Sequence, residues 1–239
     1  MFFVLPMTYI LAIYLFAAIF PAVFLMRYVY NQDSIEKEPP ALLFSLVLYG
    51  ALAAILSLLP EYLGESLLDS TVGKDGQNYV ILLAFLVVAV VEEGTKFLLL
   101  YRRTWREPNF NYRFDGIVYA VFVSLGFAAF ENVKYVFSYG LSVAVPRALL
   151  SIPGHLSFAV FMGYFYGRAR LAADRGENAR KTADLVLGYL AAVLLHGIYD
   201  SCAMIGTSRA TTVFVVFVAV LYFSVYRLIR REARTDRPV

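Results

Sequence analysis

Seven stretches of mostly apolar residues divide this chain, and each is long enough to cross a lipid bilayer. About 20 consecutive apolar residues span the hydrocarbon core of a membrane as a helix. The composition agrees, since 60% of the 239 residues are hydrophobic and only 16% are charged, whereas soluble domains have about 25% charged residues. We therefore predict an all-α, polytopic membrane helix bundle, with one integral-membrane domain over residues 1–239. About seven transmembrane helices are expected, at 6–28, 41–60, 79–101, 115–137, 146–168, 184–205 and 211–229.

The basic residues cluster in alternate connections between these segments. Most of the 21 Lys and Arg residues follow the first, third and fifth segments or lie in the tail after the seventh. Because cytoplasmic connections carry an excess of Lys and Arg, we expect the N-terminus outside the cell and the C-terminus in the cytoplasm. The excess of Lys and Arg in the cytoplasmic connections then explains the formal net charge of +3, and no nucleic-acid partner is needed to explain it. The sequence thus predicts a multi-pass protein of the cell membrane, with the lipid bilayer as a partner and no nucleic acid.

The third segment contains three charged residues within five positions. Its sequence VVEEGTKFLLL includes Glu92, Glu93 and Lys96, and a charged side chain at a helix centre costs roughly 2.5–3.5 kcal/mol. Lys96 follows Glu92 by four residues and Glu93 by three, so it can reach either carboxylate along one helix face. One lysine neutralises only one carboxylate. The other must bind a proton, a cation or a group from another helix.

Three later segments add polar residues at a similar depth. GFAAFEN supplies Glu131 and Asn132, SIPGHLSF supplies His155, and HGIYD supplies His196 and Asp200. With a rise of about 1.5 Å per residue, the ionisable residues and the glutamate pair fall into one layer between the outer interface and the midplane. Ionisable residues inside a membrane indicate a functional site by default. We therefore expect one shared polar cavity that opens toward the outside.

This set of residues permits several kinds of chemistry. Two histidines and a carboxylate form a common catalytic zinc site, here Glu131, His155 and His196, with Glu92 or Glu93 as the general base. The same residues would serve a metal-free mechanism in which a carboxylate activates water and histidines polarise the carbonyl. Outside enzymes, the alternatives are a proton- or cation-coupled transporter or channel, and a non-catalytic membrane sensor. Spacing alone does not separate these alternatives.

The order of these motifs resembles the PrsW family of intramembrane proteases. That family lies in a wider group that includes CAAX prenyl endopeptidases and bacteriocin-processing proteases. The resemblance covers about residues 30–205. It rests on EEGTK (pattern EExxK), FAAFE from Phe127 to Glu131 (FxxxE), the isolated His155, HGIYD (HxxxD), and DSIEKEPPALL with Asp33, Glu38 and Pro39. In the CAAX relatives the second motif ends in histidine, so the glutamate here does not support a direct transfer of their metal-free mechanism.

The resemblance implies a bacterial inner-membrane peptidase that cuts a single-span membrane protein, such as an anti-sigma factor, near the outer face. It assigns the catalytic site to the ionisable residues of the motifs, namely Glu92, Glu93, Glu131, His155, His196 and Asp200. One of the two adjacent glutamates would activate water. Asp200 would orient His196 or complete the site.

The remaining roles also follow from the resemblance. Glu131, His155 and His196 would bind a metal or polarise the substrate, and Lys96, Phe127 and Asn132 would support them. We expect metal-assisted hydrolysis with Zn²⁺ as the candidate cofactor. A metal-free glutamate mechanism is the alternative.

Overall fold

Residues 7–239 form a bundle of seven helical segments. The structure, a computed structural model, describes residues 7–239; residues 1–6, which include the start of the first predicted segment, lie outside the described part. Within residues 7–239 there is no β-strand, and one isolated bridge joins Tyr112 to Pro238. The segments are α1 Met7–Gln32, α2 Pro40–Val72, α3 over 77–104, α4 Asp115–Tyr139, α5 Leu141–Asp174, α6 Asn178–Ile205 and α7 Ser208–Arg234.

Two of these segments are not uniform α-helices. In α3 a π-helical stretch, Leu83–Ala89, separates Gln77–Leu82 from Val90–Thr104. The segment α5 begins with short irregular turns that end in a second π-helical stretch, Arg147–Ser151, before the regular helix Ile152–Asp174. Stretches of π-helix are frequent at functional sites.

The predicted fold class is confirmed. Six of the segments are long and apolar enough to cross a membrane, and α3, which carries the glutamate pair, is the remaining one. The main difference from the predicted boundaries concerns α2, which continues past Pro60 to Val72 instead of ending near residue 60. Hydropathy falls there because Glu61, Glu65 and Asp69 appear, yet Glu and Leu remain good helix formers. The helix therefore continues beyond the end of its apolar stretch.

Helix α4 lies at the centre of the bundle and packs against α1, α2 and α5. Every residue from Asp115 to Ala128 is buried. Glycines allow backbones to approach closely on two sides of this helix: a Cβ on Gly126 would lie 2.4 Å from the carbonyl oxygen of Val47 in α2, and one on Gly163 of α5 would lie 2.5 Å from that of Gly116. Small residues permit such contacts between membrane helices.

Helices α1 and α7 lie at the periphery. Large apolar side chains point away from the bundle, including Phe16, which is 65% exposed, and Phe223, which is 60% exposed. In a membrane protein such a surface faces lipid rather than water. The predicted site residues lie instead on the segments α3 to α6.

The connections rich in arginine meet at one end of the bundle. The backbone amide of Arg113 donates to the carbonyl oxygen of Arg237 at 3.1 Å, and Arg170 Nη1 donates to the carbonyl oxygen of Trp105 at 2.8 Å. Asn111 Nδ2 donates to Glu36 Oε2 at 2.9 Å. These contacts join the connections after α1 and α3, the end of α5 and the C-terminal tail. We call this the arginine-rich end; that it faces the cytoplasm stays a prediction.

Candidate active site

Four helices bring the predicted polar residues into one buried network. The glutamate pair lies on α3 directly after its π-helical stretch, and His155 on α5 directly after the second such stretch. Glu131 lies near the end of α4, and His196 lies on α6. An α-helix adjacent to a π-helical turn has its downstream side chains rotated about the axis, which changes the direction in which they point. Both features precede residues that face the network.

Lys96 lies at the centre of this network. Its Nζ is 3.0 Å from Glu92 Oε2 and 2.8 Å from Glu93 Oε1, and 3.2 Å from Nδ1 of His155. The ammonium also lies 3.9 Å from the centre of the Phe127 ring, which is cation–π geometry. Both glutamates therefore share one lysine, rather than one pairing with Lys96 and the other with a different cation.

His196 connects the same cluster to α6. Its Nδ1 lies 2.9 Å from Glu93 Oε1 and its Nε2 lies 3.2 Å from Asp200 Oδ2. The imidazole stacks on Phe158 with 4.8 Å between ring centroids. Carboxylates at both nitrogens and an aromatic ring on one face fix the orientation of this histidine. Asp200 thus lies where the HxxxD spacing predicts.

His155 connects the cluster to Glu131 and to a residue that the sequence analysis missed. His155 Nε2 lies 3.2 Å from Glu131 Oε2. The same oxygen accepts from Arg147 Nη2 at 2.9 Å, and Arg147 Nε donates to Asn132 Oδ1 at 2.8 Å. Asn132 Nδ2 in turn donates to the carbonyl oxygen of Ala18 on α1 at 2.7 Å. Arg147 therefore holds two motif residues of α4 in place.

One signal in the sequence could have identified Arg147. The end of the bundle opposite the arginine-rich end has few basic residues, and Arg147 stands next to Pro146 in the least regular part of its segment. A basic residue that breaks the topological pattern needs a local partner. Glu131, on the preceding helix, is that partner.

A candidate metal centre lies inside the network. Glu92, Glu93 and His155 each offer one ligand atom, and the three atoms all lie within 4.8 Å of one another. Carboxylate oxygen and imidazole nitrogen are common zinc ligands. In the described chain Glu93 Oε2 is buried without a hydrogen-bond partner, so one donor atom of this set is free. Lys96 Nζ contacts the same three side chains and would have to shift if an ion bound there.

The predicted ligand set of Glu131, His155 and His196 shares only His155 with this cluster. The rings of the two histidines are 5.5 Å apart between centroids. Glu131 is engaged by Arg147, and His196 by Glu93 and Asp200. The roles assigned to these residues stay predictions.

The DSIEKEPP stretch lies far from the network. Glu38 is buried beside Asp115, at the start of α4. With a rise of about 1.5 Å per residue, the start of α4 lies about 24 Å along the helix from Glu131. Burial raises the pKa of the Glu38 carboxyl to about 7, and it also raises the pKa of Asp33. Lys37 donates to the carbonyl oxygens of Tyr30 and Asp33. This motif organises the arginine-rich end and supplies no atom to the candidate active site.

The sequence of this chain is similar to a family model and to curated proteins. The family model described as PrsW family intramembrane metalloprotease matches residues 38–226. Protease PrsW of Clostridioides difficile (strain 630) is 34% identical over 209 residues, covering 86% of this chain and 85% of the relative. Protease PrsW of Geobacillus kaustophilus (strain HTA426) is 30% identical over 224 residues, covering 93% of each. Protease PrsW of Bacillus subtilis (strain 168) is 33% identical over 184 residues, covering 77% of this chain and 79% of the relative.

No solved structure matches the chain. The family model nevertheless includes all four helices that build the polar network, and the relatives cover most of the chain at 30–34% identity. The membrane-spanning bundle and the buried ionisable layer are what a protease working inside a bilayer needs. The chain therefore belongs to the PrsW family of intramembrane proteases and is a peptidase of the bacterial membrane.

Proposed function

We propose that this peptidase hydrolyses a peptide bond of a single-span membrane protein near the outer face, using a water activated by a glutamate. The observation that carries the proposal is the buried network around Lys96, in which two glutamates and two histidines from different helices contact one another. Peptide hydrolysis needs a base for water and a donor for the developing oxyanion. An anti-sigma factor is the substrate type that the family resemblance implies.

Glu92 is the better candidate for the base. The Glu93 side chain is 1% exposed and is bound by both Lys96 and His196. The Glu92 side chain is 7% exposed, and in residues 7–239 Lys96 is its one ion-pair partner. A base needs a lone pair that a water can reach, and Glu92 has fewer competing partners. Glu93 would instead hold Lys96 and His196 in position.

The histidines would act on the substrate carbonyl. Lys96 is the nearest donor to the glutamate pair; His196 contacts Glu93 directly, and His155 contacts Lys96. Each imidazole nitrogen already has a partner, so a substrate carbonyl would displace His196 Nε2 from Asp200 or His155 Nε2 from Glu131. Preorganised donors that face a developing negative charge contribute a large part of the rate enhancement in acyl transfer. Glu131 and Asp200 would then orient the imidazoles rather than touch the substrate.

The residues present fit a bound metal ion. Glu92, Glu93 and His155 would hold it, with the free Glu93 Oε2 as an additional donor, and Glu92 would then be a ligand instead of the base. Bound Zn²⁺ polarises a carbonyl and lowers the pKa of a coordinated water to about 7. The contact of Lys96 Nζ with all three of these side chains supports the metal-free alternative, because the ammonium supplies a positive charge at the same place.

A cavity beside the network offers a route for the substrate. It has a volume of about 340 Å³ and lies between α5, α6 and α7, where Arg147, Ser151, Tyr199 and Phe214 line it. Arg147 forms part of its wall and also binds Glu131. A substrate segment that unwinds in this cavity would reach the network from the side of the bundle.

Cleavage of a single-span substrate in proteoliposomes tests the proposal. We expect Glu92→Gln to lower the cleavage rate by about 10²–10⁴-fold, the contribution typical of general acid–base catalysis, and His155→Ala and His196→Ala to abolish cleavage while the protein stays folded. Glu65→Gln, which changes an exposed carboxylate of α2, is the matched control. Cleavage retained in both histidine variants would refute the proposed site.

Elemental analysis of the same purified variants tests the metal. If Glu92, Glu93 and His155 hold the ion, Glu92→Gln loses it and His196→Ala keeps it. If Glu131, His155 and His196 hold it, the pattern reverses. A fully active preparation without metal would decide for the glutamate mechanism.

A further inference from the structure

A large cavity lies away from the active site, at the arginine-rich end. It has a volume of about 870 Å³ and lies between the later half of α5 and α7. Four arginines of α7 line one side, and Tyr164 and Phe165 of α5 line the other; the arginines are Arg227, Arg230, Arg231 and Arg234. Ligand pockets commonly have volumes of about 300–1,000 Å³.

The positive charge of this cavity is largely uncompensated. Arg227 precedes Arg230 by three residues and Arg231 by four, and Arg234 follows them by four and three, so the arginines lie on one side of α7. Arg231 pairs with Glu232 at 2.8 Å, whereas in residues 7–239 the other three form no ion pair. Arg230 Nη1 donates to the Tyr226 hydroxyl at 2.6 Å. Arginine binds phosphate through two parallel hydrogen bonds, so the cavity favours a phosphate-bearing anion.

In a neighbouring cavity, by contrast, most of the lining arginines pair with a carboxylate. It has a volume of about 350 Å³ and is also lined by arginines. There, however, Arg113 pairs with Glu232 at 3.0 Å, Arg168 with Asp184 at 3.0 Å, and Arg180 with Glu177 at 3.3 Å. Arg175 and Arg237 also line this cavity and form no ion pair in residues 7–239. The two cavities therefore differ in the share of their arginines that are paired: most are paired in the smaller cavity, and only Arg231 is paired in the larger one.

The larger cavity also has an apolar side that continues into the membrane surface. Phe161 and Phe165 contribute to its wall, and Phe223 of α7, one turn away from Arg227, is 60% exposed. Tyr226 lines both this cavity and a narrower groove of about 160 Å³ that includes Leu156 and Val225. A free phosphate would leave these apolar surfaces uncovered, whereas a lipid would use both parts.

We propose that this cavity is a binding site for an anionic phospholipid. The headgroup phosphate binds Arg227, Arg230 and Arg234, and the acyl chains lie against the apolar wall and the groove beyond Tyr226. Basic pockets between membrane helices bind anionic lipid headgroups elsewhere by this combination of charge and apolar contact. The site needs no part of the protease machinery, so its test is independent of cleavage.

Native mass spectrometry of the full chain in detergent tests the site. The probes are phosphatidylglycerol, phosphatidylcholine and inorganic phosphate. We expect the protein to retain phosphatidylglycerol at least about tenfold better than phosphatidylcholine, and inorganic phosphate not to displace it. The variant R227Q/R230Q/R234Q should lose this preference. The variant R102Q/R106Q/R209Q, which removes the same charge from exposed positions, should keep it.

Three results would overturn the proposal. Equal loss of preference in the two triple variants would mean diffuse attraction to charge. Displacement of the lipid by inorganic phosphate would mean a site for a soluble anion. Unchanged preference in the cavity variant would mean no site there. If that variant does not fold, each single change should lower the preference about fivefold, and full preference in all three single variants would overturn the proposal equally.

Discussion

Two regions of this molecule are rich in charged residues, and they differ in whether those residues are paired. In the candidate active-site network, ionisable groups from four helices are buried or half-buried, and each faces a partner on its own or another helix. At the arginine-rich end, Arg227, Arg230 and Arg234 face an open cavity without carboxylate partners in the described chain. Charge inside a membrane is tolerated when it is paired, and charge at the interface is free to bind a ligand. The buried charges are therefore held by partners, whereas the three arginines of the open cavity have no carboxylate partner in residues 7–239.

Removing Lys96 should produce the largest effect, because it breaks the pairing of the buried region. Lys96→Met leaves both carboxylates without their shared cation, and removing one partner of a buried ion pair costs about 3–5 kcal/mol. We expect the free energy of unfolding in detergent to fall by that amount and cleavage to be lost. Lys134→Met removes an exposed lysine of α4 and should change neither quantity appreciably. Similar stability of the two variants would contradict the central position of Lys96.

Replacing Arg147 should lower the cleavage rate by an intermediate amount, because it removes a partner of the buried network and not one of the groups proposed to act on the substrate. Arg147→Gln removes the donors to Glu131 and Asn132 but leaves the groups proposed to act on the substrate. Loss of a partner that orients a site residue typically lowers activity about 10–100-fold, and we expect this range for kcat. Arg209→Gln, an exposed arginine at the same end of the bundle, is the control. An unchanged rate would show that Glu131 is held without Arg147.

A smaller effect is expected from Glu38, a buried carboxyl at the arginine-rich end. Burial raises its pKa from 4.5 to about 7, so the folded state binds a proton that the unfolded state releases. Its contribution to stability is therefore present below about pH 4.5 and is lost as the pH rises through 7. Glu38→Gln should flatten the dependence of the thermal midpoint on pH between these values. A slope identical to that of the unchanged protein would show that Glu38 is not the titrating group.

Helix number and the polar layer could be predicted from the sequence because both depend on residue type and spacing. Apolar runs identify spans, and the i, i+4 spacing of His196 and Asp200 places them on one helix face. The end of α2 could not be predicted in this way, because hydropathy falls at Glu61 while helix formation continues to Val72. Hydropathy measures the cost of transfer into lipid, and it does not measure the tendency to stay helical.

The contacts between helices were beyond the reach of sequence patterns. Lys96 and His155 are 59 positions apart, and the sharing of Lys96 by both glutamates depends on side-chain directions that follow from helix packing. The sequence could have marked Arg147 as an unusual basic residue, but it could not identify its partner Glu131 on the preceding helix. The spacing of residues in the sequence predicts which residues belong to a site, whereas the packing of the helices determines which of them contact one another.

The glycines that flank α4 affect how genetic data on this protease should be interpreted. A side chain at Gly126 or Gly163 would collide with backbone atoms of a neighbouring helix, and backbone cannot move aside as a flexible side chain can. In a saturation screen scored by cleavage alone, these positions would therefore be as intolerant as Glu92 although they take no part in the chemistry. Scoring the amount of membrane-inserted protein beside its activity would separate the two groups, because we expect substitution of a glycine to lower abundance and substitution of the proposed base, Glu92, to leave it unchanged.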